Sequence, residues 1–290
     1  MFTSTLILGL VLGGTYALAA LGLTLQYGIG RIMNLAYGEL IIAASFGALI
    51  FYTATGLSPV VGLIVIVPAA YILSWLVYAV MLQPLVARSA KSGRLEIDSI
   101  LATFGLLFVV QGILLIAFGG DYAGYTYLNV PVSVAGAAIA ANRLLAFALA
   151  VTIAVTLYLV IRHTRWGLRM LAVAYRPQNA PLVGIDTNRT ARTAFALGGA
   201  LAATGGVMIS MFQTFTAVSG VGFTMKALII VIMGGVGNMA GALLAGLMLG
   251  LAETFVASYI DPGLTIASTY VLFLAVLIWR PAGLFGRQGG

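Results

Sequence analysis

The stretch V-V-G-L-I-V-I-V-P-A-A-Y-I-L-S-W-L-V-Y-A-V-M-L runs from Val60 to Leu82 without one charged residue. A helix rises about 1.5 Å per residue, so roughly 20 apolar residues cross a hydrocarbon layer about 30 Å thick. Similar runs fall near 3–27, 35–54, 99–118, 139–161, 194–213, 238–258 and 264–280, with a shorter one at about 224–234. Apolar residues follow one another in these runs and do not alternate, which excludes a transmembrane β-barrel. Only 7% of the 290 residues are charged and 62% are hydrophobic, whereas a soluble domain carries about a quarter of its residues as charges. The expectation is an all-α polytopic membrane protein solvated by lipid. It is one transmembrane domain over 1–290, a bundle of about 8–9 helices with a short broken helix near 224–238. No basic residue precedes Arg31, and the apolar run to about Tyr27 is too long for the core of a signal peptide. It reads as the first span.

Orientation follows from the loops. Segment 83–98 holds Arg88, Lys91 and Arg94, offset by Glu96 and Asp98, and segment 162–192 holds Arg162, Arg165, Arg169, Arg176, Arg189 and Arg192. Clustered Lys and Arg mark cytoplasmic loops, so the net charge of +7 is topological and implies no nucleic acid partner. Loops 55–59 and 119–138 carry only Asp121 and suit the outside. The N-terminus is then outside. Arg280 and Arg287 prefer the inside, which requires an odd number of crossings. Eight full spans plus a crossing 224–234 give one; a 224–234 that dips in and returns would leave the C-terminus outside.

Several chemistries are excluded. There is no cysteine and one histidine, His163, at the edge of an arginine-rich segment; disulfides, thiol nucleophiles and thiolate metal sites are out, and no catalytic constellation forms. The chain lacks a G-x-x-x-x-G-K-[ST] phosphate loop. An ion-coupled carrier acting alone needs buried acids, and only Glu39 and Glu253 qualify. Glu39 opens the second span, where a carboxylate suits the helix dipole; it reads either as a gating acid or as a structural cap, within reach of Arg31. Glu253 lies in the last third of its span and either faces a pathway or reaches for the surface. Lys226 reads as an interfacial anchor. The run Gly234-Gly235-Val236-Gly237-Asn238 weakens a helix, and Gly28-Ile29-Gly30 with Asn34 offers a comparable break. Broken helices hold polar substrates in transporters, so these positions either line a pathway or pack closely.

The longest hydrophilic stretch, 162–192, reads as more than a connector. Trp166, Leu168, Leu171 and Val173 fit the end of a helix leaving the membrane. Pro177 suits the opening of a short helix, and Gly184 its left-handed close. Such a helix docks on a cytoplasmic partner or serves topology alone. Its core, R-M-L-A-V-A-Y-R-P-Q-N-A-P-L-V-G-I-D-T-N-R at 169–189, resembles the cytoplasmic loop of branched-chain amino acid ABC importer permeases of the LivH type. Gly22–Gly28 with Asn34–Glu39 is similar to that family's first inter-helix motif. Gly234–Ala242 with Gly246, Gly250 and Glu253 resembles its late glycine-rich motif, and Arg280–Arg287 its C-terminal signature.

The resemblance implies a permease subunit that moves branched-chain amino acids, or related small polar solutes such as urea, amides or aromatic acids, by alternating access. It implies a second permease subunit, two cytoplasmic ATPase subunits that carry the ATP and Mg²⁺, and a periplasmic solute-binding protein, in a bacterial inner membrane. No cofactor is expected on this chain. Contact with the ATPase is expected at Arg169, Ala172, Ala174, Arg176, Ala180, Gly184, Ile185 and Asp186. Substrate-pathway residues are expected at Asn34, Tyr37, Gly38, Glu39, Gly234, Gly235, Gly237, Asn238 and Glu253. The chain departs from the family at Tyr37, where histidine or glutamine is common, and at Pro181, which removes a donor from the docking helix. The remaining alternative is a stand-alone carrier or channel.

Overall fold

The computed structural model describes residues 2–89, 94–134 and 136–286; Lys91 and Arg287, two of the orienting charges, lie outside them. The chain forms α1 (Phe2–Gly30), α2 (Tyr37–Thr55), α3 (Pro59–Val77), a π turn at Tyr78–Leu82, α4 (Gln83–Ser89) and α5 (Leu95–Phe118). A hairpin of β1 (Pro131–Val134) and β2 (Ala137–Ala140) precedes α6 (Ala141–His163), α7 (Arg165–Tyr175), α8 (Thr187–Ser210), α9 (Gly220–Gly234), α10 (Met239–Tyr259) and α11 (Thr265–Trp279). Among the described residues, eight helical stretches are long and apolar enough to cross a membrane, Pro59–Ser89 counting as one, and α9 is a shorter apolar helix. The fold is the expected all-α bundle, with a small hairpin added in the loop after α5.

Two boundaries differ from the hydropathy reading for physical reasons. The helix that starts at Pro59 runs on through the π turn to Ser89, and within that turn Tyr78 is buried, its hydroxyl donating to Asn188 Oδ1 at 3.2 Å. Helix α8 begins at Thr187, about two turns before its apolar run. Asp186 caps it by accepting from Arg189 N at 3.0 Å, a stabilisation that hydropathy does not register.

Helices α1 and α8 form the centre. The small-residue spacings seen in the sequence bring α1 and α10 together in antiparallel contact: a Cβ on Gly13 would fall 2.7 Å from Leu247 Cα, and one on Gly9 2.9 Å from Leu251 Cδ2. Backbones approach this closely only where side chains are absent. Helix α8 lies antiparallel to α1, with Gln26 Nε2 donating to Phe195 O at 3.0 Å and Gly205 packed on Ala19. It also receives Ser45 Oγ of α2 at Gly206 O, 2.9 Å. Within its apolar stretch 89% of α8 is buried, against 11% for α11 and for the Pro59–Ser89 helix. The outer helices therefore present their apolar faces to lipid or to another subunit.

The two halves repeat one plan in opposite directions. In each, a long buried helix (α1, α8) is followed by irregular residues (31–36, 211–219) that fold back into the bundle, and then by a helix that begins inside it (α2, α9). Helix α1 packs on α10, α8 on α3, and α2 on α9. Gly28 near the end of α1 meets Gly237, just before α10. Met211, just past α8, instead accepts from Asn142 Nδ2 in the first turn of α6 at 2.9 Å. The segment 211–238 thus passes from one end of the bundle to the other, the first of the two arrangements considered above. One end carries α7 and the arginines of 162–192; the other carries the hairpin and Arg143.

Candidate functional site

At the arginine end, the chain leaves α6 at Thr164, whose extended backbone breaks the helix and whose Oγ1 accepts from Gly167 N at 3.1 Å. Gly167 lies against the Ile161 backbone, so only a residue without a side chain fits this corner. Trp166, Leu168, Leu171 and Val173 accordingly belong to a separate amphipathic helix, α7, and not to the end of the span. Met170 and Val173 anchor it, while Arg169 is exposed and Ala172 and Ala174 are half-buried. Pro177 does not open a helix. It lies in a turn after exposed Arg176, followed by a single 3-10 turn at Ala180–Val183. Gly184 closes that turn at φ 74°, ψ 19°, with Gly184 N on Pro181 O at 3.0 Å and Ile185 N on Ala180 O at 3.1 Å. This is the left-handed close read from the sequence. Ala180 is buried, Ile185 packs on the main core, and Asp186 caps α8, so the loop is braced on its span. Between those anchors Leu182 and Val183 stand 84% and 73% exposed. Of the residues expected to contact the ATPase, Arg169 and Arg176 are exposed, while Ala180, Ile185 and Asp186 brace the loop.

The expected pathway residues do not form one lining; they fall into three places. The first is the fold-back. Asn34 Nδ2 donates to Gln26 Oε1 at 3.0 Å while its Oδ1 accepts from Ala36 N at 3.1 Å, and Tyr37 donates to Ala19 O. Gly38 N donates to Thr224 Oγ1 at 2.8 Å, and Thr224 donates in turn to Leu35 O at 3.1 Å. The starts of α2 and α9 are thereby tied together. Glu39 is fully buried at this junction, and among the described residues neither carboxyl oxygen has a hydrogen-bond partner. A Cβ on Gly220, the first residue of α9, would fall 2.6 Å from Glu39 Oε2. Arg31 is exposed and makes no ion pair with Glu39, contrary to the expected pairing. The break itself lies at 31–36, since Gly28, Ile29 and Gly30 are helical.

The second place is the glycine turn, and it is packed. Gly234 lies against Gly241, with Ala242 N 2.6 Å from where its Cβ would be, and Gly237 rests on Gly28. Gly235 and Gly237 take φ 99° and 76°. Asn238 caps α10 through Gly241 N at 3.1 Å and holds Phe285 O at 3.1 Å, and Leu284 N reaches Met233 O at 2.8 Å. These contacts make a tight inter-helix turn closed by the C-terminal signature.

The third place is Glu253. It is 4% exposed and paired with Lys226 at 2.9 Å, and it accepts from Tyr16 at 3.0 Å and from Thr269 at 2.6 Å. Lys226 also donates to Tyr16 at 2.7 Å. Lys226 is therefore half of an internal ion pair joining α1, α9, α10 and α11, and not an interfacial anchor. Tyr16, Thr224 and Thr269 carry no motif signal, and no periodicity links Lys226 to Glu253.

The chain from 5 to 279 matches the family model described as branched-chain amino acid transport system / permease component. It is 30% identical to the high-affinity branched-chain amino acid transport system permease protein BraD of Pseudomonas aeruginosa, covering 99% of this chain and 96% of that protein. It is 28% identical to the LivH permease protein of Escherichia coli over 96% of this chain and 94% of that protein. The probable LivH permease of Methanocaldococcus jannaschii is 26% identical, with 93% and 88% covered. No solved structure matches.

Proposed function

Because the chain belongs to the family of branched-chain amino acid transport permease components, we propose that it is the permease subunit of an ABC importer moving branched-chain amino acids, or related small polar solutes, across the inner membrane. The observation that carries this reading is the handle at the arginine end. Its apolar tip, Leu182 and Val183, is exposed, while its base is braced through Ala180 and Asp186 onto α8. That helix is packed by α1, α2 and α3, so force applied to the tip reaches the centre of the bundle. In this reading the arginine end is cytoplasmic and the N-terminus and hairpin are outside. Two ATPase subunits carrying ATP and Mg²⁺ grip the handle, a second permease subunit covers part of the apolar exterior, and a periplasmic binding protein delivers solute to the hairpin end. Alternating access then proceeds by movement of the two inverted halves against each other at the α2–α9 junction.

Gly184→Val tests the coupling. A β-branched residue at φ 74° costs about 1–2 kcal/mol in the left-handed region, and it distorts the tip without touching the spans. The expected result is normal membrane insertion, solute uptake reduced about tenfold or more, and ATP hydrolysis no longer linked to uptake. Full uptake with coupled hydrolysis in this variant would sink the reading, as would solute transport by the isolated polypeptide.

A further inference from the structure

Opposite the handle lies a cleft that none of the sequence motifs reaches. A cavity of about 370 Å³ opens between the start of α1, the loop around Tyr125, the first turn of α6 and the end of α8. A second, of about 260 Å³, shares Leu8, Arg143, Phe212 and Gln213 with it and continues along α1 to Tyr16. Two polar groups on its wall are unmatched. Among the described residues, no carboxylate lies within 4.0 Å of Arg143. Its guanidinium sits 5.9 Å from the Phe212 ring centroid, a geometry that leaves the edges of the fork free. The adjacent Asn142 is 4% exposed; its Nδ2 is committed to Met211 O, and its Oδ1 has no donor.

An unpaired cation beside an unpaired acceptor is the complement of a zwitterion, whose carboxylate matches the guanidinium fork and whose ammonium needs amide oxygens. The two chambers differ accordingly. The outer one has polar walls, including Tyr125, whose hydroxyl is 2.9 Å from Ser210 Oγ; burial pushes this phenol up to about 12, so it stays neutral beside an anion. The inner one is lined by aliphatic α1 residues such as Val11 and Leu12. We propose that this cleft receives an aliphatic α-amino acid, with the carboxylate on Arg143, the ammonium toward Asn142 and Gln213, and the side chain along α1 toward Tyr16. The choice of solute class rests on the import reading; the polarity of the site rests on the cleft.

The test is saturation-transfer NMR on the full chain in nanodiscs of zwitterionic lipid. The probes are L-leucine, leucinol (no carboxylate) and 4-methylpentanoate (no ammonium). Leucine is expected to bind, and each analogue to bind about tenfold more weakly, the scale of losing one charge-assisted contact. Arg143→Gln should weaken leucine about tenfold or more, with Arg143→Lys intermediate. If Arg143→Gln does not insert, Gln213→Ala gives the same comparison, with a few-fold loss for leucine and none for 4-methylpentanoate. Absence of leucine binding, equal binding of the three probes, or unchanged binding in Arg143→Gln (or in Gln213→Ala, where that stands in) overturns the proposal. A lipid phosphate shares the carboxylate's chemistry. If Arg143 instead protects phosphatidylglycerol from exchange and leucine does not compete, the site belongs to lipid and the proposal falls. Leucine binding that persists in an assembly lacking ATP-driven uptake would sink the import reading and leave the cleft standing; the reverse result would do the opposite.

Discussion

Glu39 and Glu253 are both enclosed by the bundle, 0% and 4% exposed, yet their surroundings are opposite. Glu253 has an ion pair with Lys226 and hydroxyl donors from Tyr16 and Thr269, and these join four helices. Glu39 has neither oxygen satisfied and faces the first residue of α9. Burial of a charge is costly without partners, so a carboxylate with a full set of donors is a structural tie. One left empty at the meeting point of two helix starts is where the bundle has traded stability for something else. The comparison separates a closed, fully partnered network from an unpartnered junction, which under the proposed function is the part that moves.

Breaking the tie should have the largest effect. Removing one partner of a buried pair leaves the other charge unpaired, at a cost of about 3–5 kcal/mol. Lys226→Met or Glu253→Gln is therefore expected to lower the thermal unfolding temperature in detergent far more than any change at Glu39. The double variant Lys226→Met/Glu253→Gln should recover part of that loss. Single variants as stable as the parent would mean that the network is not closed in the membrane, and the contrast would lose its stronger half.

Much of this architecture was legible in the sequence, because lipid imposes length and apolarity on every span. The spans, the crossing of 224–234, the left-handed Gly184 and the close packing at Gly9, Gly13, Gly246 and Gly250 were all read from spacing or residue type. What escaped depends on contacts across the chain. Lys226 looked like an interfacial anchor because its partner is 27 residues away on another helix. Arg31 looked like the partner of Glu39, but at φ 52° the chain turns, leaving Arg31 exposed while Glu39 points inward. The glycines at 234–237 looked like an open break because a sequence does not reveal that Gly28 and residues 283–286 fill the space. Arg143 and Asn142 carry no sequence signal, since a lone arginine at a span's start is ordinary.

The junction itself can be tested from the α9 side. A methyl group on Gly220 would overlap the Glu39 carboxyl group, and Gly38 is equally constrained by Thr224, 2.6 Å from where its Cβ would be. Overpacking of this kind costs about 1–3 kcal/mol. Gly220→Ala is expected to destabilise within that range and to slow uptake, and Glu39→Ala should relieve the clash when the two are combined. If the double variant shows simple addition of the single effects, α2 and α9 are not in contact through Glu39.

The smallest effect on stability is expected from Glu39→Gln, and it is the most discriminating. The substitution keeps shape and volume, removes no hydrogen bond present in the bundle, and takes away only a buried charge. Stability should hold or rise, because an unpartnered buried charge is lost, whereas the same change at Glu253 removes an ion pair. Uptake is the readout that should respond, because the proposed alternating access separates α2 and α9 there. A fall in unfolding temperature as large as that of Glu253→Gln would mean that Glu39 finds a partner once lipid or a second subunit surrounds the chain. The two carboxylates would then be equivalent ties, and the gate would have to lie elsewhere.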